Sequence, residues 1–146
     1  MEASVRTPVH LWIVGAIALL WNGFGCYDYF MTQTNSAEYL ASMGMTETQR
    51  AYYETFPMWL DGAWAVGVWG ALLGAVLLLL RSRWAVTAFA LSLLGLALST
   101  IYQFILSSPP EGMFTPTIMA MQGVVWAGAI FFLVYAMRMR KAGVLR

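Results

Sequence analysis

Four long apolar stretches dominate this sequence, at about residues 8–31, 57–80, 84–106 and 115–139. Each is long enough, at about 1.5 Å per helical residue, to cross a hydrocarbon core of about 30 Å. Because lipid offers the backbone no hydrogen bonds, each stretch must be helical. The sequence therefore predicts an all-α polytopic membrane protein, in which residues 1–146 form a single domain of four transmembrane helices in an antiparallel bundle.

The cationic residues predict how this bundle is oriented. Seven of the eight Lys and Arg residues lie in the N-terminal segment, the second connection and the C-terminal end, whereas the first connection holds only Arg50. By the positive-inside rule both termini are cytoplasmic and the loop at residues 32–56 is periplasmic. We predict a multi-pass protein of the bacterial inner (cytoplasmic) membrane. The partner that the four spans imply is the lipid bilayer, and the net charge of +1 does not suggest nucleic acid.

The first stretch also has features of a secretory signal peptide, since Arg6 precedes the apolar run of residues 11–20. Residues 21–26, however, lack a clean small-x-small cleavage site, so we expect this segment to be retained as a helix. Cys26 is the only cysteine, which leaves no intramolecular disulfide. We interpret it as a small packing residue.

The loop at residues 32–56 is long enough to have structure of its own. Its pattern predicts two short helical pieces broken near Gly44, the second opened by a capping box of Thr46 and Gln49. Arg50 follows Glu47 by three residues and precedes Glu54 by four. Two interpretations remain open: local ion pairing within a helix on the membrane surface, or a lid over the outer end of the bundle.

Short connections and small residues predict which helices touch. Residues 81–83 alone join the second and third helices, which must then be antiparallel neighbours. The second helix carries Ala63, Gly67 and Ala71 at four-residue steps, and Gly70 with Gly74. Such stripes let two backbones approach closely in lipid. Whether the Gly70 face meets a helix of this chain or of a second copy is open.

Polar residues within the spans lie at the midplane or in the predicted outer half, where they are expensive in lipid. The candidates for a ligand or proton site are Asn22, Asp28, Asp61, Tyr102, Gln103 and Gln122. Asp28 and Asp61 lie at similar depth on adjacent helices. If they converge, repulsion and poor solvation would raise the pKa of at least one and create a proton or cation site. The alternative is that each anchors a helix end separately at the interface.

A faint internal repeat bears on this choice. Tyr27-Asp28 parallels Tyr102-Gln103, and Asp61-Gly62 parallels Gln122-Gly123. A parallel repeat of two hairpins would place Asp28, Asp61, Gln103 and Gln122 around one outward-facing pocket.

Patterns that indicate catalysis are not found in the sequence. The single histidine, His10, excludes bis-His haem within one chain, and phosphate-binding loops, nucleophile elbows and dinucleotide fingerprints do not occur. We expect neither an enzyme nor a cofactor, catalytic residue or metal site.

The motifs at residues 21–25 and 31–34, together with Asp28, Pro57 and residues 63–70, support a resemblance. The chain resembles, over nearly its whole length, a family of small, uncharacterised four-helix proteins of proteobacterial inner membranes, some of which are automatically labelled sugar transporters. The resemblance implies the fold and the membrane. It implies no functional residue.

Two classes of function remain. The first is a non-enzymatic membrane component that binds a partner protein or small ligand at a polar pocket facing the periplasm. The second is a small-solute transporter, for a sugar or a proton-coupled solute, that acts as a homo-oligomer. The predicted inner half is almost entirely apolar and gives a polar solute no visible exit, which favours binding. A homo-oligomer or a membrane-complex partner is compatible with either.

Overall fold

The computed structural model describes residues 6–34, 36–110 and 112–146, and every regular element in those ranges is helical. In chain order the helices are α1 (Val9–Thr34), α2 (Ser36–Ser42), α3 (Glu47–Glu54), α4 (Met58–Leu79), α5 (Trp84–Ile101) and α6 (Pro116–Lys141). A π-helical turn, Tyr102–Leu106, continues α5. Four segments are long and apolar enough to cross a membrane: α1, α4, α5 with its π turn, and α6. These helices pack against each other, which confirms the predicted all-α four-helix membrane fold.

Helix α4 is the centre of the packing, with α1 on one side and α5 on the other, while α6 packs on α5. The sequence prediction that α4 and α5 are neighbours is confirmed. A Cβ built on Gly95 of α5 would lie 2.5 Å from the Ala63 carbonyl oxygen, and one on Gly70 of α4 would lie 3.4 Å from the Ala88 carbonyl oxygen. The Gly70 face therefore meets a helix of the same chain. Ser92 strengthens the crossing by donating its hydroxyl proton to the Gly67 carbonyl.

Contact between α1 and α4 uses small residues in the same way. The Cys26 thiol is buried and donates to the Val68 carbonyl at 3.2 Å, and a Cβ on Gly25 would lie 3.6 Å from the Val68 side chain. Cys26 is thus the packing residue that the sequence suggests.

One end of the bundle, which we call the tail end, comprises the connection at residues 81–83 and the C-terminal tail, residues 143–146. Both α4 and α6 finish in Schellman turns, whose left-handed residues are Arg81 (φ 56°) and Gly143 (φ 81°). The tail then pairs with the connection: the Arg83 amide donates to the Arg146 carbonyl, and the Arg146 amide donates to the Arg81 carbonyl.

Apolar side chains fill the tail end. Val144 and Leu145 are each only 4% exposed and join a core that includes Leu11, Leu78 and Phe132. Because lipid is as apolar as such side chains, their close packing rather than their removal from water holds membrane helices together. The tail therefore packs into the bundle. From the sequence, we predict for this tail only that its cations orient the bundle in the membrane.

The opposite end, which we call the loop end, carries α2 and α3. Gly44 takes a left-handed conformation (φ 82°) between them, and the predicted break is confirmed. The predicted capping box is also present: the Gln49 backbone amide donates to the Thr46 hydroxyl, and the Thr46 backbone amide donates to the Gln49 side-chain oxygen. The loop thus has two ordered helices placed over the ends of α1 and α4.

Candidate binding cleft

A cleft of about 400 Å³ opens at the loop end. Its walls come from the last turn of α1, from α2 and α3, and from the first turns of α4. The polar and charged residues on these walls are Thr32, Gln33, Glu47, Arg50, Glu54 and Asp61. Volumes of a few hundred cubic ångströms are typical of small-molecule sites.

Three aromatic side chains complete the walls: Tyr53, Phe56 and Trp64. The Trp64 ring meets Tyr29 edge to face, with centroids 5.0 Å apart, and the Tyr53 and Phe56 rings are 5.1 Å apart. Such pairs hold rings in defined orientations and contribute about 0.5–1.5 kcal/mol each beyond the burial of their surface. The aromatic walls are therefore positioned by neighbouring rings.

Asp61 is the one residue of the six sequence candidates that lies on the cleft walls. It belongs to the first turn of α4, which begins after Pro57 with the extended backbone expected before a helix. The Gln33 side-chain amide donates to an Asp61 carboxylate oxygen at 3.3 Å and so links the end of α1 to the start of α4. This is a single hydrogen bond at an exposed position, and it leaves the second carboxylate oxygen for other contacts.

Asp28 is not part of the cleft lining, but it is hydrogen-bonded to α2, which is. The Tyr39 hydroxyl of α2 donates to its carboxylate at 2.6 Å, a charge-assisted bond that ties α2 to α1. Burial, followed by the negative charge of Asp28, raises the pKa of Tyr53 to about 12. Asp28 therefore acts electrostatically on a residue of the cleft wall, although it is not itself part of the lining.

The other four candidates lie elsewhere. Tyr102 packs its ring against Phe56 and Trp59, at 5.7 Å in both cases, and so holds the loop against the π turn. The Gln103 carbonyl in that turn accepts the Ser107 hydroxyl. Gln122 is half-buried near the start of α6. None of the three is among the described residues that line the cleft, so the structure does not bring Gln103 and Gln122 to Asp61 there.

Asn22 lies half-buried in the middle of α1. Its amide nitrogen is shielded from solvent and has no hydrogen-bond partner among the residues that the structure describes. A buried donor left in this way costs about 1–3 kcal/mol. It lies outside the cleft lining, and its role as a site residue stays a prediction.

Arg50 does not form the local ion pairs that its spacing suggests. Its guanidinium Nη1 donates instead to the Ala37 carbonyl of α2 at 3.3 Å, and within the described ranges no ion pair joins it to Glu47 or Glu54. The reason is geometric, because α2 folds back over α3 and offers a backbone acceptor. The lid interpretation, in which the loop covers the end of the bundle, describes this arrangement better.

The sequence interpretation did not assign α3 to the site. Glu47, Arg50, Ala51 and Glu54 all line the cleft, and they follow one another at positions i, i+3, i+4 and i+7. That spacing places them on one helical face. The sequence did contain a signal for this role of α3: charged residues on one face of a helix that a capping box already predicted.

Among residues 6–34, 36–110 and 112–146, no three His, Cys, Asp or Glu side chains lie close enough to hold a metal ion. Comparison with protein-family models, curated proteins and solved structures gave no match for this chain. The resemblance to a proteobacterial family stays a prediction.

Proposed function

We propose that this integral membrane protein is a non-enzymatic binding protein that holds a small ligand in the cleft at the loop end. The observation that carries the proposal is the cleft itself. It combines a volume suited to a small molecule with charged side chains and aromatic rings, in a chain that is 60% hydrophobic. Half of the lining residues are polar or charged, so a ligand would find both apolar surface and groups that can fix its orientation.

The tail end supports binding over transport. A transporter needs a polar or breakable path on both halves of the bundle. Here Val144 and Leu145 fill the tail end beside Leu78, and the tail is hydrogen-bonded to the connection at residues 81–83. A solute in the cleft meets packed apolar side chains below it.

We further propose that the cleft faces the periplasm and the tail end faces the cytoplasm of a bacterial inner membrane. The distribution of cations supports this orientation. Ser42→Cys and Ser82→Cys test it, because Cys26 is buried and stays unlabelled. An impermeant thiol reagent should label position 42 and not position 82 in intact spheroplasts. The reverse result would overturn the orientation.

The binding proposal is tested by blocking the cleft. Ala51 is exposed and lines the cleft, and Ala41 is exposed on α2 outside its lining. We expect native mass spectrometry of wild-type protein, extracted in mild detergent from the membranes that contain it, to show a bound small molecule. Ala51→Trp should lose that mass and the matched control Ala41→Trp should keep it.

Other outcomes would contradict this function. Equal retention in wild type and Ala51→Trp would show that any ligand lies elsewhere. A bound partner chain in place of a small molecule would favour assembly, and the same spectra report whether the protein is a homo-oligomer. Solute uptake by wild-type proteoliposomes that Ala51→Trp abolishes would promote the transporter.

A further inference from the structure

The charges of the cleft are unequal. Three carboxylates line it, those of Glu47, Glu54 and Asp61, against the single guanidinium of Arg50. Within the described ranges, neither Glu47 nor Glu54 has an ion-pair or hydrogen-bond partner for its side chain. Only Nη1 of the Arg50 guanidinium is engaged, with the Ala37 carbonyl. The lining therefore carries two more negative than positive charges.

Arg50 itself lines the cleft, with its Nη1 held by the Ala37 carbonyl. Its Nε is shielded from solvent and has no hydrogen-bond partner among the described residues. An anionic ligand would meet this one guanidinium together with three carboxylates. The field of the cleft favours a positive charge.

The aromatic walls point to the same class of ligand. Tyr53, Phe56 and Trp64 line the same volume as the carboxylates, and their rings are held by the contacts described above. Ring faces attract cations, and cages of aromatic and acidic side chains recognise ammonium groups. A neutral sugar would use the rings but leave the carboxylates without a countercharge.

We propose that the ligand is a small organic cation, with a quaternary or primary ammonium group that lies between these rings and carboxylates. The proposal rests on the proposed binding function and adds the chemical class. A volume of about 400 Å³ limits the ligand to a few tens of non-hydrogen atoms at most. Within the described ranges, Asp61 is the one of the three carboxylates with a hydrogen-bond partner, the Gln33 side chain.

Choline and its neutral isostere 3,3-dimethyl-1-butanol separate charge from shape. We expect calorimetry on purified protein in lipid nanodiscs to show choline binding, and the isostere to bind at least about tenfold more weakly, the size of one good cation–π or carboxylate contact. Asp61→Asn should weaken choline binding about tenfold. This substitution keeps a side-chain oxygen for the Gln33 amide, so the fold is preserved. Glu38→Gln removes an exposed carboxylate of α2 outside the lining and should leave the affinity unchanged.

Glucose completes the experiment as a neutral polyol. Binding of glucose without choline would overturn the cationic class and leave the binding function intact. Equal affinity for choline and its isostere would show that shape alone is read, and equal loss in Glu38→Gln and Asp61→Asn would show a diffuse surface effect. Absence of choline binding also overturns the inference. If Ala51→Trp retains everything that wild type retains, the binding function fails as well.

Discussion

The two ends of this bundle differ in structure: the tail end is closed and apolar, and the loop end is open and partly polar. The tail end is closed by Val144 and Leu145, which enter the apolar core, and by two backbone hydrogen bonds to residues 81–83. The loop end is spread open by α2 and α3, which surround a cleft with the apolar Ala37 and Leu40 of α2 and the polar face of α3. Packed apolar side chains hold the tail end together, and side-chain hydrogen bonds and ring contacts hold the loop end together.

The difference shows where stability and function can be separated. Close packing of apolar side chains acts over a large contact area, so it suits the end that holds four helices together. Hydrogen bonds between exposed side chains contribute about 1 kcal/mol net, yet they fix orientation. We therefore expect substitutions at the tail end to affect the whole bundle and those at the loop end to stay local.

The largest effect is expected at the tail end. Leu78 is fully buried there, and Leu78→Ala should lower the free energy of unfolding by about 2–5 kcal/mol through lost burial and a residual cavity. Leu73, on the same helix, is 53% exposed in the isolated chain, and Leu73→Ala should stay within about 0.5 kcal/mol. Denaturant unfolding in detergent micelles measures both. Equal effects would show that a leucine packed in the tail-end core contributes no more to stability than a leucine exposed on the same helix.

A smaller and local effect is expected from the capping box. Thr46→Ala removes the acceptor for the Gln49 amide and should weaken α3 by about 1 kcal/mol, whereas Thr46→Ser keeps the hydroxyl. Hydrogen exchange should speed up for the amides of α3 and remain unchanged in α4 and α5. If α4 responds as strongly as α3, the two ends are coupled and the comparison fails.

The smallest effect concerns the titration of Tyr53. Burial, with Asp28 and Tyr52 adding to it, raises the pKa of this phenol from 10.0 to about 12, so the folded protein holds the proton more tightly than the unfolded chain. The resulting stabilisation is complete below pH 10 and is lost as the pH rises through about 12. The ultraviolet difference titration of wild type against Tyr53→Phe measures it, and Asp28→Asn should lower the midpoint. An unshifted midpoint would remove Asp28 from the electrostatics of the cleft.

The sequence predicted the fold well because the bilayer restricts it. Four apolar segments must be helices, and a connection of three residues forces α4 and α5 together. Gly44 and the Thr46 capping box were also visible, since their signals are local. The cleft was less visible, because it depends on how α2 folds back over α3 and gives Arg50 the Ala37 carbonyl. Nothing in the spacing of Arg50, Glu47 and Glu54 distinguishes that contact from ordinary helix pairing.

Long-range pairing was the other feature that the pattern did not reveal. Val144 and Leu145 follow a cationic helix end, and their hydrophobicity alone does not distinguish a buried tail from one in lipid. The contact of Arg146 with residues 81–83 joins segments more than sixty residues apart in the chain. Only the three-dimensional packing brings them together.

Two structural requirements at Arg81 favour different residues. Its left-handed backbone would be relaxed by glycine, since an L side chain costs about 1–2 kcal/mol in that conformation. Glycine, however, would remove the guanidinium that donates to the Thr7 hydroxyl at 2.8 Å, and one of the cations predicted to orient the bundle. Glycine is therefore expected to suit the turn, whereas arginine is expected to suit the Thr7 contact and the predicted orientation. A library of variants at this position, scored once for thermal stability and once for correct insertion, should rank glycine differently in the two screens.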